Sequence, residues 1–506
     1  MPPDGHASGR CPQAPAVSRR ELLRAGGVGA AGLTLLGSRG LGAQTPARMN
    51  VVVVVMDSLR ADHIYGSRAR TASWDKVGRQ GIRFLNAYPE GMPTIPARRA
   101  IMSGKRTFPF RGWRPRWHDL PAQPGWDPVG SDGEMWTATL RKAGWTTGYV
   151  TDNPHLLLPV HRRFRAKFDR VELVEGQVPV RRRPRNLPSR RELDHYLPKA
   201  LRGTIAERRM ANYLALNPRN RAEQDYNAAK VFREAIGWIE WARGRQQPFA
   251  LVIDSFDAHE PWDAPRRLVD MYGPARVGGG LEPIQPFETP AARTSDIDLS
   301  RRMLRRVRQL YAAEVTLVDV WLGRFLDRLE NLGLAENTLL VLVSDHGVLL
   351  GEHGWVGKRY SELHQELTHV PLVMRHPAGR AKGRTSNYYA STHDIGPTVL
   401  SMLGVEEPRG MNGADLSPLF SGRAPRRKRG HRSASYNTYV SAGDDRWLLI
   451  AGNRREELRL YDRRRDRAEF HNIAHRHPKQ VRRLWSLILK DAGGHLPHFP
   501  EGGREG

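Results

Sequence analysis

Four short stretches of the chain hold polar residues in arrangements that could do chemistry. A run of five valines at 51–55 leads into Met56-Asp57-Ser58. The apolar stretch FALVID at 249–254 runs into SFDAHEPW, which carries His259. TLLVLVS at 338–344 runs into DHGVLLGEHGWVGK, which opens on Asp345-His346. In GMPTIPARRAIMSG, at 91–104, Thr94 is flanked by Pro93 and Ile95-Pro96 and precedes Arg98 at a helix start. Carboxylates and imidazoles without soft donors suit Mg, Mn or Ca ahead of Zn. The chain's single cysteine, Cys11, lies in the N-terminal segment. Beyond that segment there is no thiolate ligand, disulfide or cysteine nucleophile. Taken singly, each stretch has a plainer reading. A strand-end Asp caps helices, an Asp-His pair makes turns, and a Thr-Pro loop can simply start a helix.

The stretches gain meaning only if the fold unites them. VVVVV (51–55), TTGYVT (146–151), FALVID (249–254), TLLVLVS (338–344) and VPLVMR (370–375) read as short buried strands. Helical patterns separate them near 72–80, 133–143, 222–243 and 299–332, the last ending at Gly333. Strands alternating with helices predict a parallel sheet covered on both faces. The C-terminal ends of such strands share one edge, where ligand sites form. Asp57, His259, Asp345 and His346 should therefore converge. The basic segment 160–220 and the Gly- and Pro-rich segment 264–298 read as irregular surface insertions. After 424 the pattern changes to a small antiparallel unit with a terminal helix at 477–491. The expected division is a catalytic domain at 49–424 and a C-terminal subdomain at 425–495.

With 506 residues, 39% of them hydrophobic and 26% charged, the chain can build one large soluble domain with an appendage. The net charge is +27. The basic runs RRRPR (181–185), RRKRGHR (426–432) and RRRDR (463–467) lack interleaved aromatics, so they read as solvated loops rather than base-stacking platforms. A basic surface still attracts an anionic substrate. At the front, SRRELLRAGGVGAAGLTLLGSRGLGAQ pairs Arg19-Arg20 with a weakly apolar stretch and a small-residue site before Gln44. This resembles a twin-arginine signal peptide over 1–43. It implies the twin-arginine export machinery as a partner and a periplasmic or extracellular location. No nucleic-acid partner and no stable membrane span in the mature chain are expected.

In order along the chain, the motifs resemble the sulfatase branch of the alkaline phosphatase superfamily, from about residue 49 to 490. VVVVVMDSLRADHIYG is similar to its opening strand with the first metal carboxylate, Asp57. GIRFLNAYPEGMPTIPARRAIMSGK is similar to its nucleophile segment, usually Cys or Ser, any residue, Pro, any residue, Arg. TDNPHLL supplies His155, FDAHEPWDAP supplies His259, and SDHGVLLGEHGWVGK supplies Asp345, His346 and Lys358. STHDIGPTVLSMLGV and LRLYDRRRDRAEFHNIAHRHP resemble late family segments. The resemblance implies an α/β fold with a mostly parallel sheet sandwiched by helices and a small C-terminal α+β subdomain.

Aligned on Pro96 and Arg98, Thr94 stands at the nucleophile position. A helix N-terminus there offers free N–H groups to an oxygen nucleophile, and Arg98 can reach back to an alkoxide. Threonine cannot yield the formylglycine that sulfatases make from Cys or Ser, so no formylglycine is expected. Superfamily branches with an unmodified Thr act on phosphorus esters, among them nucleotide phosphodiesterases and phosphoglycerol or phosphoethanolamine transferases. Ser58 stands where the family often has a second metal carboxylate, and Asn153 replaces a substrate-binding Lys. The expected site is one divalent metal on Asp57, Thr94, Asp345 and His346, with Ser58 assisting. Arg98, Lys358 and His155 would offset charge on an anionic ester, His259 would serve as general acid, and His353 and His364 would orient ligands. The implied function is an exported hydrolase of sulfate, phosphate or phosphonate esters on anionic small molecules, glycans or polymers. Two alternatives are a phosphoryl-group transferase on cell-envelope polymers and a non-catalytic polyanion-binding homologue.

Overall fold

Valine after valine from 51 to 55 makes sense only for a strand covered on both sides, and the computed structural model builds it so. It describes residues 48–499 apart from 116–122, 179–183, 185, 218–220, 275–280 and 288–289. The twin-arginine segment and most of the run at 181–185 lie outside these residues. Asn50–Met56 occupies an inner position of an eight-stranded sheet. The order across it is Arg384–Ser391, Ile82–Tyr88, Leu372–Arg375, Thr338–Ser344, Asn50–Met56, Phe249–Ser255, Thr146–Thr151, Arg170–Leu173. Asn50–Met56 pairs in parallel with Phe249–Ser255 and Thr338–Ser344, with Met56 level with Ser255 and Ser344. Asp57, Phe256 and Asp345 therefore leave the sheet side by side. Leu372–Arg375 runs antiparallel to both neighbours.

Side chains alternate between two cores. Val52, Val54 and Met56 pack toward Phe232, Trp238, Tyr311 and Phe325, on helices Asn227–Arg243 and Arg301–Asn331. Val51, Val53 and Val55 pack toward Ile95, Ile101, Trp136 and Val399, on helices Thr94–Ser103, Trp136–Lys142 and Ile395–Leu403. Each fully buried Val contributes about 1.5–3 kcal/mol, so this strand is a strongly held platform for the residues that follow it.

A second, five-stranded sheet comprises Arg459–Asp462, Trp447–Gly452, Tyr439–Gly443, Arg432–Tyr436 and the two-residue strand Gly91–Met92. Helix Pro478–Asp491 packs Val481, Leu484 and Ile488 on it. The antiparallel unit and terminal helix anticipated after residue 424 are present. Gly91–Met92 adds to this sheet in parallel, so the C-terminal sheet grips the chain directly before Thr94. Arg48–Gly506 accordingly forms one compact unit.

The expectation of an irregular segment at 160–220 needs correction. It contains the edge strand Arg170–Leu173 and helices Arg190–Tyr196 and Ile205–Leu216. Ser189 and Thr204 cap these helices by accepting from Glu192 N and Ala206 N. Leu193, Tyr196, Met210, Tyr213 and Leu214 form their buried faces. Dense arginine on the opposite faces masks the helical period in the sequence. Likewise 264–298 is not wholly irregular, since it holds Arg266–Val269 and the strand Ala291–Arg293.

Candidate active site

Just beyond the strand ends the backbone turns sharply, and the turns aim the polar side chains inward. Ser58 takes a left-handed conformation, φ +59. Its N–H donates to Asp345 Oδ1 at 3.0 Å and its hydroxyl to Asp57 Oδ1 at 2.7 Å. Asp345 Oδ1 also accepts from the His346 N–H at 2.7 Å. His346 Nδ1 donates to the Gly347 carbonyl at 2.8 Å, which leaves Nε2 as a bare lone pair. That nitrogen lies 3.4 Å from Asp345 Oδ2 and 3.7 Å from Asp57 Oδ1. Only glycine fits at 347, where a Cβ would stand 2.0 Å from the Glu366 carbonyl oxygen.

Asp57, Asp345 and His346 are fully buried, and one ligand atom from each lies within 4.8 Å of the others. Asp57 Oδ2 and His346 Nε2 are buried without a hydrogen-bond partner. Orphaned buried polar atoms are costly unless something binds them. Two carboxylates and a neutral imidazole oriented by a backbone carbonyl fit a divalent cation. Burial, then the neighbouring Asp345, pushes the Asp57 carboxyl above its usual range. Burial brings His346 down to about 4, so its ring is neutral at ordinary pH.

Arg98 lies one turn into the Thr94–Ser103 helix, which Thr94 opens. Its Nε and Nη2 bond Asp254 at 2.8 and 2.6 Å. Nη1 bonds Asp345 Oδ2 at 2.5 Å and the Thr94 carbonyl at 3.1 Å. The same nitrogen lies 3.2 Å from Asp57 Oδ2, without hydrogen-bond alignment. Burial opposes the Arg98 charge, but Asp254, Asp345 and Asp57 outweigh it and raise its pKa. Most of its donors are thus committed to carboxylates, which leaves little of Arg98 for a substrate. Through this one nitrogen the first turn of the Thr94 helix abuts the Asp57/Asp345 pair.

His259 and Lys358 form a second group. Lys358 Nζ bonds both oxygens of Glu260, at 3.0 and 2.9 Å, and donates to His259 Nε2 at 3.0 Å. His259 Nδ1 donates to the Glu260 carbonyl at 2.7 Å. Burial and then Lys358 hold His259 well below its usual pKa, while the Asp57 charge works in the opposite sense. His259 is therefore a neutral acceptor from Lys358. Phe256 stacks on His259 at 4.1 Å and meets His155 edge-on at 6.3 Å. His155 is half-buried against Trp126, 4.9 Å away. Asn153 caps the short helix Pro154–Leu157, its side chain accepting from His155 N.

Asp57, Arg98, Asp345 and His346 thus share one cluster. His259 and Lys358 pair next to it, and His155 follows across Phe256. His353 and His364 do not orient this cluster. They stack on each other 3.6 Å apart, and their ring nitrogens face Glu366, Glu362 and Glu469. A cavity of about 640 Å³ lined by His63, Arg308, His353 and Phe470, among others, is bordered by none of the anticipated catalytic or metal residues. Sequence reasoning missed Asp254, Glu260 and Tyr149, whose hydroxyl donates to Asp254. A signal existed for Asp254, which ends its apolar run much as Asp57 and Asp345 follow theirs.

The sulfatase family profile matches residues 49–405, and that of the N-sulphoglucosamine sulphohydrolase C-terminal region matches 351–489. An N-acetylglucosamine-6-O-sulfatase of Bacteroides thetaiotaomicron is 23% identical, over 84% of this chain and 82% of its own. The multifunctional alkaline phosphatase superfamily protein PehA of Trinickia caryophylli is 24% identical, over 75% of this chain and 78% of its own. The phosphonate monoester hydrolase of Agrobacterium radiobacter shares the fold at a TM-score of 0.66 and 19% identity, covering 88% of this chain and 95% of that one. The strand-end carboxylates, the Arg98 helix and the profile match all lead to one assignment: the chain belongs to the sulfatase family.

Proposed function

We propose that the chain is a divalent-cation-dependent hydrolase of sulfuric or phosphoric esters that attacks through Thr94. The observation that carries this reading is the buried Asp57/Asp345/His346 cluster. It has two atoms left without partners, and the helix opened by Thr94 abuts it. Asp57, Asp345 and His346 would hold the cation, with the Thr94 hydroxyl as a further ligand. When bound, it would polarise an ester oxygen and make the Thr94 hydroxyl acidic.

The chain's own residues do the rest. The Thr94 oxygen, its hydroxyl proton released to solvent water, attacks the sulfur or phosphorus, and the ester bond to the leaving oxygen breaks. The Lys358–His259 pair supplies the proton that this oxygen needs. A proton moved along their 3.0 Å contact leaves Lys358 neutral and His259 able to donate. Glu260 holds Lys358 in place. Water then releases the Thr94 ester. Because Arg98 is bound to carboxylates, the outer ester oxygens are met by Lys358 until it gives up its proton, and by His155 throughout. The substrate is an anionic ester, which the basic surface would draw in. Residues 1–43 carry the export reading: passage by the twin-arginine route to a periplasmic or extracellular location. Among the described residues no helix is long and apolar enough to cross a membrane.

The test is Thr94→Ala, assayed in parallel on aryl sulfate, phosphate mono- and diesters and a phosphonate monoester. Turnover should fall by about 10³-fold or more on the preferred ester. Mass spectrometry of the native chain quenched during turnover should find one sulfuryl or phosphoryl group on the peptide containing Thr94. Full turnover by the alanine variant would remove the nucleophile assignment.

A further inference from the structure

Beneath the reacting groups, three carboxylates and one guanidinium are sealed together. The Arg98 side chain is 3% exposed, Asp254 1%, and Asp57 and Asp345 0%. Counted by formal charge, the cluster has three negative groups against one positive. A further buried carboxyl, Asp152, lies near Asp254, and burial first, then Asp257, with Asp254 adding, pushes its pKa up toward the neutral form. Lys358 is matched by Glu260. His346 has a single ring proton, donated to a carbonyl, and His259 accepts from Lys358. The residue is two negative charges, the complement of one divalent cation.

Asp254 is the member that touches neither orphaned ligand atom. It faces Arg98 from the opposite side, bonded to Nε and Nη2, while Nη1 turns to Asp57 and Asp345. Tyr149 donates to Asp254 Oδ2 from the adjacent strand and holds it in that pose. Without Asp254, the guanidinium would cancel one of the two cation-facing carboxylates, and a divalent cation would leave a buried positive charge. With it, Arg98 can buttress the Thr94 turn while Asp57 and Asp345 keep their full charge for the cation.

We propose that Asp254 is a positioning residue that sets the charge of the cation site through Arg98. The inference rests on the divalent-cation reading of the cage. Ser58 offers a way to test charge apart from packing. Its hydroxyl is 2.7 Å from Asp57 Oδ1, and its left-handed backbone tolerates Asp. An aspartate there adds a negative charge beside the cage by another route.

The experiment titrates Ca²⁺, Mg²⁺ and Mn²⁺ calorimetrically into the chelator-treated full chain. Asp254→Asn should weaken binding by about tenfold or more. The double variant Ser58→Asp/Asp254→Asn should recover most of that loss, a larger gain than Ser58→Asp alone brings to the native chain, where the charge is already balanced. Tyr149→Phe keeps the charge and should stay within about threefold of the native chain. If the native chain binds none of the three cations, the cation reading itself fails. If it binds but Asp254→Asn binds equally well, the role of Asp254 is overturned. That role is equally overturned if the double variant is no better than the single, or if Tyr149→Phe loses as much as Asp254→Asn. Should Asp254→Asn not fold, melting of the double variant decides. A folded, cation-stabilised double variant supports the inference, and one that is unfolded or melts without response to cation overturns it.

Discussion

His346 and His364 are both buried, at 0% and 1% exposure, yet they are in opposite states. Both ring nitrogens of His364 face carboxylates, Glu469 at 2.9 Å and Glu362 at 3.2 Å, and those carboxylates also meet Arg463 and Arg459. Burial alone would lower its pKa, but Glu362 and Glu469 outweigh it and raise it. His346 has one nitrogen on a carbonyl and the other on nothing, and burial takes it down to about 4. Both clusters mix imidazole with carboxylate. Both ring nitrogens of His364 are satisfied within the protein; His346 Nε2 and Asp57 Oδ2 are not. The open valence, rather than burial or residue type, separates the candidate catalytic site from a structural ion cluster.

The largest expected effect follows from that contrast. His346→Ala should cut cation affinity and turnover by about 10²-fold or more, because a ligand is lost. In the chelated protein its cost in stability is limited to the buried ring and the one bond from Nδ1 to the Gly347 carbonyl, since Nε2 had no partner. His364→Ala should do the reverse. It leaves Glu362 and Glu469 short of a buried cation and should cost about 3 kcal/mol, the low end for a broken buried pair because Arg459 and Arg463 remain. Urea unfolding with chelator present, alongside cation titration, measures both. Loss of cation binding in His364→Ala would break the comparison, because it would make the two clusters one.

Acidity sharpens the contrast with a smaller effect. The folded pKa of His346 lies near 4, below the ordinary 6.5. Between those values the unfolded chain takes up a proton that the folded chain refuses. Stability tied to His346 is therefore full above pH 6.5 and declines as pH falls toward 4, by on the order of 3 kcal/mol. His364 is raised, so its contribution is full below pH 6.5 and fades as pH rises through its folded value. Glu362, held near 2, keeps that contribution in place through the acid range. In chelated protein, His346→Ala should flatten the acid side of the stability profile, and His364→Ala the alkaline side. Unfolding midpoints from pH 4 to 8 test this. Slopes of the same sign in both variants would contradict it.

The unequal legibility of the two clusters has a physical cause. Asp57 and Asp345-His346 follow uninterrupted apolar runs, and a parallel sheet sends such residues to one edge, so sequence alone brings them together. The strands TTGYVT and TLLVLVS match their observed limits for the same reason. The partners of His364 could not be read this way. Glu469 lies 105 positions away, on a segment that meets His364 only once the C-terminal sheet is in place. Asp254 was hidden differently. Its position was visible, but its bond to Arg98 depends on which face of Phe249–Ser255 the residue takes, and that is set by register with Thr146–Thr151. The strands Ile82–Tyr88 and Arg384–Ser391 were missed because polar residues such as Arg83, Asn86 and Asn387 interrupt their apolar patterns.

The smallest effect is expected at a third histidine, His155, which sharpens the contrast from the other side. Its described neighbours are aromatic rings. It is half-buried, edge-on to Trp126 at 77°, with Phe256 between it and His259. A side chain so held can lend a hydrogen bond to an anionic ester without disturbing the cation site or the fold. His155→Ala should therefore act mainly through KM, raising it by about tenfold at most, as expected for one polar contact made to bound substrate. Steady-state kinetics on the preferred ester, with cation titration as a control, make the measurement. A fall in kcat approaching that of Thr94→Ala would mean that His155 acts on the reacting atoms. It would then join the Lys358–His259 pair as a proton carrier, and the line between open and completed histidines would have to be redrawn to include aromatic partners.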